Sequence, residues 1–185
     1  MIQEVYKEVE ELMKKALAAL HRDFATIRTG RANVSLLDGI RVNYYGNLTP
    51  VNQVATISIP DNKLIVIQPW DTKILGEIEK AILKSDLGLV PNNDGKVLKL
   101  PIPELTEQRR HELVKAVHKI AEKEKVSIRN ARRDGNEKLK ILQKEKKITE
   151  DEMHKSQNDI QKLTDKYIEK LDLVLKSKEE EILKF

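Results

Sequence analysis

Proline and glycine are confined almost entirely to the middle of this 185-residue chain. All six prolines fall in residues 50–103, and six of the seven glycines fall in residues 30–95. In a helix interior, proline costs about 3 kcal/mol and glycine about 1 kcal/mol relative to alanine. Residues 1–29 and 104–185 are therefore free to form long helices, whereas the middle is divided into short elements. This distribution predicts a helical domain built from both ends of the chain, with a second domain inserted between them.

Apolar spacing predicts three helices in the flanks. Apolar residues of the first flank recur at three- and four-residue steps, and they are Val5, Val9, Leu12, Ala16, Ala19, Leu20, Phe24 and Ile27. The second helix is expected to begin at an N-cap, Thr106, and its stripe is interrupted by a charge at Glu124. After a break, Thr149 and Glu152 match a capping box that starts the third helix. The short loop between the second and third helices predicts an antiparallel three-helix bundle.

The middle of the chain alternates between apolar and polar residues in the manner of a small sheet. Residues 72–87 fit a helix that stops at Gly88, and the strands are expected at 40–44, 56–59, 64–67 and 97–100. The predicted fold is therefore α+β, a long antiparallel three-helix bundle with an inserted small β/α/β domain. The bundle is expected to be discontinuous and to consist of residues 1–29 and 105–185. The inserted domain is expected to be residues 30–104.

Two short segments must join the two domains, and we expect hinges there, near residues 29–31 and 103–105. They are Thr29-Gly30-Arg31 and Pro103-Glu104-Leu105. A double connection limits splaying but permits a hinge, because glycine can absorb a large backbone change. The alternative is a rigid elbow in which Gly30 only ends the first helix.

Positive charge is concentrated in one stretch of the second helix. Residues 31–104 carry eight basic and eight acidic residues, whereas residues 109–133 carry nine basic and three acidic ones. Lys125, Arg129 and Arg132 are four and three residues apart, which places them on one side of a helix, and Arg133 flanks them. Since arginine suits bidentate phosphate contacts, this pattern predicts a basic rod that docks on the phosphates of a nucleic acid.

A solvated helix face is the alternative interpretation of the same charges. It would be crossed by intrahelical ion pairs such as Glu122–Lys125 and Glu137–Lys140. A coiled-coil adaptor that binds another protein's helix is a second alternative. A hydrolase that uses a metal at His118 and Glu122 is a third, although no further ligand is evident and we expect no metal site.

Other classes of protein find no support in the sequence. Zero cysteines exclude disulfides, thiol nucleophiles and iron–sulfur clusters. No apolar run approaches the length of a membrane span, so we expect no membrane partner. The N-terminus lacks a signal or transit segment, which favours a cytoplasmic protein. No catalytic or phosphate-loop motif is present, and we expect no catalytic residues and no enzymatic activity.

Six blocks of sequence, in order along the chain, resemble the bacterial ribosome recycling factors. They are Ile27-Arg28-Thr29-Gly30-Arg31-Ala32, Ser35-Leu36-Leu37-Asp38-Gly39-Ile40, Tyr44-Tyr45-Gly46, Ser85-Asp86-Leu87-Gly88-Leu89, Leu105-Thr106-Glu107 with Arg109-Arg110, and Arg129-Asn130-Ala131-Arg132-Arg133-Asp134. The resemblance runs from end to end, although Ala32-Asn33-Val34 and Ile67-Gln68-Pro69-Trp70 are less typical of the family.

The resemblance implies a translation factor with an L-shaped, tRNA-like outline. Such a factor binds the large ribosomal subunit after termination, with its bundle against ribosomal RNA. With elongation factor G and GTP it then splits the ribosome, so that subunits, mRNA and tRNA are recycled. The factor is expected to be a monomer. It is also expected to need no cofactor of its own, because the partner uses the GTP. The family pattern places the RNA-facing arginines at Arg110, Arg129 and Arg132, with Arg28, Arg31 and Arg133 as further candidates.

Overall fold

The computed structural model describes residues 1–184 and combines long helices with a small β domain. The chain divides into two compact units, one formed by Met1–Thr29 with Glu107–Lys184 and the other by Gly30–Thr106. In chain order the elements are α1 (Ile2–Ala25), β1 (Arg41–Tyr44), β2 (Asn47–Pro50), β3 (Ala55–Asp61), β4 (Leu64–Pro69), α2 (Leu75–Lys84), β5 (Asn92–Asn93), β6 (Leu98–Pro101), α3 (Glu107–Lys144) and α4 (Glu150–Leu183). In residues 1–184 no helix is both long and apolar enough to cross a membrane.

The helical unit consists of α1, α3 and α4. Thr149 caps α4 as predicted, because its hydroxyl accepts from the Glu152 N–H at 3.2 Å and the Glu152 carboxylate accepts from the Thr149 N–H at 2.8 Å. This reciprocal arrangement satisfies amides that a helix start leaves unpaired. Because α3 ends only a few residues earlier, at Lys144, the chain reverses there and α4 runs antiparallel to α3.

The apolar seam of the bundle differs from the predicted one in α1 and α3. Leu12 is exposed and Met13 is completely buried instead, because the buried face of α1 follows Val9, Met13 and Ala16. Ala19 was also expected on the seam but is only partly buried. The buried residues of α3 are Leu113, Val117, Ala121, Glu124, Ile128, Ala131, Gly135 and Leu139. Glu124 therefore occupies a position within the seam.

The second unit has a four-stranded antiparallel sheet in the order β3-β4-β6-β5 and a separate β1-β2 hairpin. The hairpin turns at Tyr45 and Gly46, which both have positive φ, as tight hairpin turns require. The central strand β4 buries Ile65 and Ile67, and α2 buries Leu75, Ile78 and Ile82 in the same core. This core belongs to the second unit alone.

Two predictions for this unit are corrected. The helix expected over 72–87 is a short 3₁₀ turn followed by α2, which ends at Lys84. Ser85 ends it by adopting an extended conformation while its hydroxyl donates to the Ile82 carbonyl at 2.5 Å. Asn92 and Asn93, which lie outside all four predicted strands, pair with β6 as the edge strand β5.

Candidate nucleic-acid interface

The basic residues predicted from spacing form one row along α3. Lys125, Arg129 and Arg132 each directly follow a buried residue of the bundle seam, and each is itself partly buried. The row therefore borders the apolar seam, with the side-chain stems covered and the charged ends at the surface. Arg133 lies beside the row and is exposed.

Part of this row contacts α4 through residues spaced seven apart. His118, Lys125 and Arg132 are seven residues apart on α3, as are Asp165, Asp172 and Glu179 on α4. The His118 imidazole contacts the Glu179 carboxylate, and Lys125 Nζ lies 2.7 Å from Asp172 Oδ1. A seven-residue repeat keeps successive pairs on the same seam of two packed helices. We call this set of pairs the α3–α4 ladder.

The third rung of the ladder contains an additional residue. Arg132 Nη1 donates to Gln161 Oε1 at 2.9 Å, and Gln161 Nε2 donates to Asp165 Oδ1 at 2.8 Å. Among the described residues 1–184, no carboxylate forms an ion pair with Arg132. The guanidinium is held by a neutral amide, so its charge is not compensated by a direct partner.

Arg129, in the row, and Arg133, beside it, differ in their partners. Arg129 Nη1 lies 3.0 Å from Glu122 Oε1, and the two side chains are 41% and 59% exposed. An ion pair this exposed contributes little free energy, so a phosphate could compete for Arg129. Arg133 has neither an ion pair nor a hydrogen bond from its side chain to any residue that the structure describes. Its guanidinium is open to a ligand.

The two intrahelical ion pairs named for the alternative interpretation do not form, although Arg109 pairs with Glu112 and Arg129 with Glu122 within α3. Glu122 contacts Arg129, whereas Lys125 reaches across to α4. Over residues 1–184 no ion pair joins Glu137 to Lys140. The solvated-face interpretation is wrong in these two pairs.

The remaining candidate arginines lie outside the row. Arg110, near the start of α3, donates from Nη1 to the Leu183 carbonyl at 3.4 Å, and its buried Nε has no hydrogen-bond partner among residues 1–184. Arg28 and Arg31 are exposed, and both have contacts within the protein. Arg28 belongs to the helical unit and Arg31 to the second unit.

Three of the residues predicted to form a hinge pack against or bond to residues of their own unit. Thr29 is buried, and its hydroxyl donates to Glu181 Oε1 at 3.0 Å. Gly30 has φ +73°, and a Cβ atom placed on it would lie 2.9 Å from Leu105 Cγ. Glu104 pairs with Lys63, in the turn between β3 and β4. Residues 103–105 themselves carry no regular secondary structure.

Sequence reasoning missed the α4 side of the interface. Gln161, Asp165, Asp172 and Glu179 were not predicted to matter. The signal that could have found three of them is the seven-residue spacing of acids on α4 opposite basic residues of the same spacing on α3. Gln161 breaks that spacing and carries no charge, so only the structure identifies it.

The residues suggested for a hydrolase have other partners. His118 contacts Glu179 instead of Glu122, and Glu122 pairs with Arg129. Among the described residues, no group of three His, Cys, Asp or Glu side chains is placed to hold a metal ion. The geometry supports phosphate binding by α3 and gives no support to a metal-dependent hydrolase.

Comparison with known proteins identifies the same family over the full chain. The family model described as "Ribosome recycling factor" matches residues 20–183. The ribosome-recycling factor of Syntrophus aciditrophicus is 58% identical over 179 residues, with 97% of each chain covered. That of Natranaerobius thermophilus is 56% identical over 181 residues, with 98% of each chain covered.

Two solved structures are similar to the chain. A solution structure of the ribosome recycling factor has a TM-score of 0.76 and 41% identity, covering 100% of this chain and 98% of that one. The T. thermophilus ribosome recycling factor, in models with E. coli elongation factor G bound to the E. coli post-termination complex, has a TM-score of 0.65 and 48% identity. That comparison covers 99% of both chains.

Proposed function

Because the chain belongs to the ribosome recycling factor family, we propose that it binds the large ribosomal subunit after termination. In this proposal α3 docks on ribosomal RNA through its basic row. With elongation factor G and GTP, the factor then splits the post-termination ribosome, so that subunits, mRNA and tRNA are released for another round. The protein acts as a translation factor, and the energy comes from its partner.

The observation that carries the RNA contact is the set of three arginines in and beside the basic row of α3, namely Arg129, Arg132 and Arg133. Two of these guanidiniums have no carboxylate partner in the described structure, and the third has an exposed one. Guanidinium groups are weakly hydrated and bind phosphate oxygens in a bidentate manner. Phosphate contacts fix the position of a protein on nucleic acid without reading its sequence. The row suits the recognition of a folded RNA by its backbone.

Elongation factor G is proposed as the second partner. One of the similar structures concerns the T. thermophilus ribosome recycling factor and E. coli elongation factor G bound to a post-termination complex, which supports the same partnership here. We assign GTP hydrolysis to that partner and no cofactor to this chain. We further propose that the factor acts as a monomer in the cytoplasm, where post-termination ribosomes are found.

Helix length gives the proposal a mechanical basis. With 38 residues, α3 extends for about 57 Å, and it packs against α4 over much of this length. Phosphate contacts would hold this unit on the RNA while the partner pushes the second unit. The chain passes between the units at residues 29–30 and 106–107, and movement about these crossings would let a push on the second unit be transmitted to the subunit interface.

Sedimentation with large ribosomal subunits across a salt series tests the RNA contact. Affinity falls as salt rises, and each lost phosphate contact makes the slope of log affinity against log salt shallower by about one. We expect Arg132→Ala to weaken binding and to make the salt slope shallower by about one. Lys162→Ala is the matched control, because Lys162 carries the same charge on α4 and its side chain is 81% exposed. The control should leave both quantities near those of the parent.

The same experiment distinguishes the proposed function from that of a coiled-coil adaptor. An adaptor predicts little salt dependence and no sedimentation with ribosomes. An Arg132→Ala variant with unchanged affinity and slope would remove Arg132 from the interface. Ribosome splitting in the presence of elongation factor G and GTP, monitored by light scattering, tests the proposed recycling activity.

A further inference from the structure

We propose that Gln161, itself oriented by Asp165, positions the Arg132 guanidinium for phosphate binding while leaving its charge uncompensated. This inference rests on the proposed function, because it assigns two residues of α4 to the same RNA-binding row. Gln161 and Asp165 are positioning residues, and they need not touch the RNA.

The comparison of the three ladder rungs carries the inference. In the first two rungs, His118 and Lys125 contact the carboxylates of Glu179 and Asp172 directly. The third rung repeats the same spacing at Arg132 and Asp165, yet the two side chains are bridged by the Gln161 amide. The ladder therefore changes from an ion pair to a neutral bridge at the residue for which phosphate binding is proposed.

The chemistry of the amide explains what the bridge does. A glutamine side chain offers a carbonyl oxygen that accepts and an NH₂ group that donates. Asp165 accepts from the NH₂ group of Gln161, and this contact turns the carbonyl oxygen of Gln161 toward Arg132. Arginine has five N–H donors, and Gln161 accepts from Nη1 alone. The guanidinium is held in place with most of its donors and its full charge available.

A carboxylate in the place of Gln161 would have the opposite effect. It would form a direct ion pair with Arg132, and a phosphate would have to displace that pair. Gln161→Glu is therefore expected to lower ribosome affinity and to reduce the salt slope by about one, as Arg132→Ala does. Gln161→Met keeps the side-chain length and the Arg132 charge but removes the acceptor. We expect it to lower affinity about three- to tenfold while the slope stays near that of the parent.

The experiment measures binding of the full chain to large ribosomal subunits over a salt series. Gln3→Glu is the matched control, since it makes the same chemical change at an exposed position of α1. It should leave the slope unchanged. Thermal unfolding of each variant is measured alongside, and the slope is the readout that a purely structural role of Gln161 would not move.

A double-mutant cycle distinguishes failure of this inference from failure of the proposed function. Gln161→Met should weaken binding in the parent and have no further effect when Arg132 is already alanine. Equal losses in both backgrounds, or no loss in either, would overturn the positioning role. If Arg132→Ala itself binds as the parent does, the proposed function fails at this residue, whatever Gln161 does.

Discussion

Val9 of α1 packs directly onto Gly135 of α3. A Cβ atom placed on Gly135 would lie 2.4 Å from Val9 Cγ2 and 3.1 Å from Ile160 Cδ1 of α4. The one glycine outside the middle of the chain thus lies where all three helices of the bundle meet. Its missing side chain allows the close approach, at the cost of about 1 kcal/mol in helix propensity.

Gly135→Ala is expected to destabilise the helical unit despite its better helix propensity. Forcing a methyl group into a packed core costs about 1–3 kcal/mol, whereas alanine regains about 1 kcal/mol in propensity. The net loss should be about 1 kcal/mol and at most about 2 kcal/mol, measured by urea unfolding monitored by circular dichroism.

The control for this prediction removes the atom that would lie closest to the added methyl group, Val9 Cγ2. In Val9→Ala the Cγ2 atom is absent, so Gly135→Ala on that background should cost much less than in the parent. A Gly135→Ala variant as stable as the parent would show that the bundle absorbs the methyl group without strain.

Local signals made much of the helical unit predictable. The absence of proline and the capping box of Thr149 and Glu152 act within a few residues, so the sequence alone identifies them. The choice between Leu12 and Met13 was wrong because both neighbours suit an apolar seam, and only packing against α3 and α4 decides between them. Glu124 was expected to interrupt the seam, but packing buries it there.

Partners across the helices limited what could be predicted of the site. The row of Lys125, Arg129 and Arg132 follows from helical spacing alone. Whether Lys125 and Arg132 are compensated depends on the register between α3 and α4, and that register is a long-range property. The bridge through Gln161 also depends on how far two side chains reach, and no sequence pattern encodes this.

Glu124 leads to a prediction about stability. Its carboxylate is almost fully buried, and its ion-pair partner Lys123, at 3.7 Å, is 71% exposed. Burying a charge with so weak a partner is unfavourable, and an apolar side chain of similar size should pack better there. We expect Glu124→Met to raise the free energy of unfolding by about 1 kcal/mol.

Glu137→Met is the control for this substitution, because Glu137 is exposed on the same helix. Such a surface change should alter stability by less than about 0.5 kcal/mol. A fall in the melting temperature of Glu124→Met would indicate that the carboxylate makes a net favourable contribution in the folded protein.

Gly30 gives a prediction for the second unit. Its φ of +73° strains any residue with a side chain, and a Cβ atom would also press on Leu105. Gly30→Ala should therefore destabilise this unit by about 1–2 kcal/mol. Thermal unfolding of the full chain measures the effect.

The comparison variant is Gly39→Ala in the same unit. No positive φ is found at Gly39, and nothing lies within 4 Å of its added Cβ atom. This variant should be as stable as the parent or slightly more stable. Equal stability of the two variants would mean that the backbone at Gly30 relaxes freely.

The capping box predicts a dependence of stability on pH. The Thr149 backbone N–H, and secondly its hydroxyl, hold the pKa of Glu152 below its ordinary value of 4.5. Because the folded pKa is the lower one, the carboxylate contributes its full stability above about pH 4.5 and loses it as the pH falls through the folded pKa. Glu152→Gln should thus be less stable than the parent at pH 7, and the difference should shrink at pH 3.

Urea unfolding at the two pH values measures this difference. Glu169→Gln on the same helix is the control, because Glu169 is exposed and its carboxylate accepts no hydrogen bond within residues 1–184. Its difference from the parent should be small at both pH values. A Glu152→Gln deficit that stays constant between pH 7 and pH 3 would show that the carboxylate charge is irrelevant to the cap.

Glu122 is expected to restrain Arg129 in ribosome binding. Its carboxylate lies 3.0 Å from the guanidinium in the free protein, so a phosphate must displace it. Glu122→Gln should therefore strengthen binding to large subunits severalfold at low salt and steepen the salt slope by up to about one. Glu137→Gln removes the same charge from the same helix and should have a smaller effect. If the two variants bind equally, the gain reflects net charge alone, and Arg129 has no specific phosphate to bind.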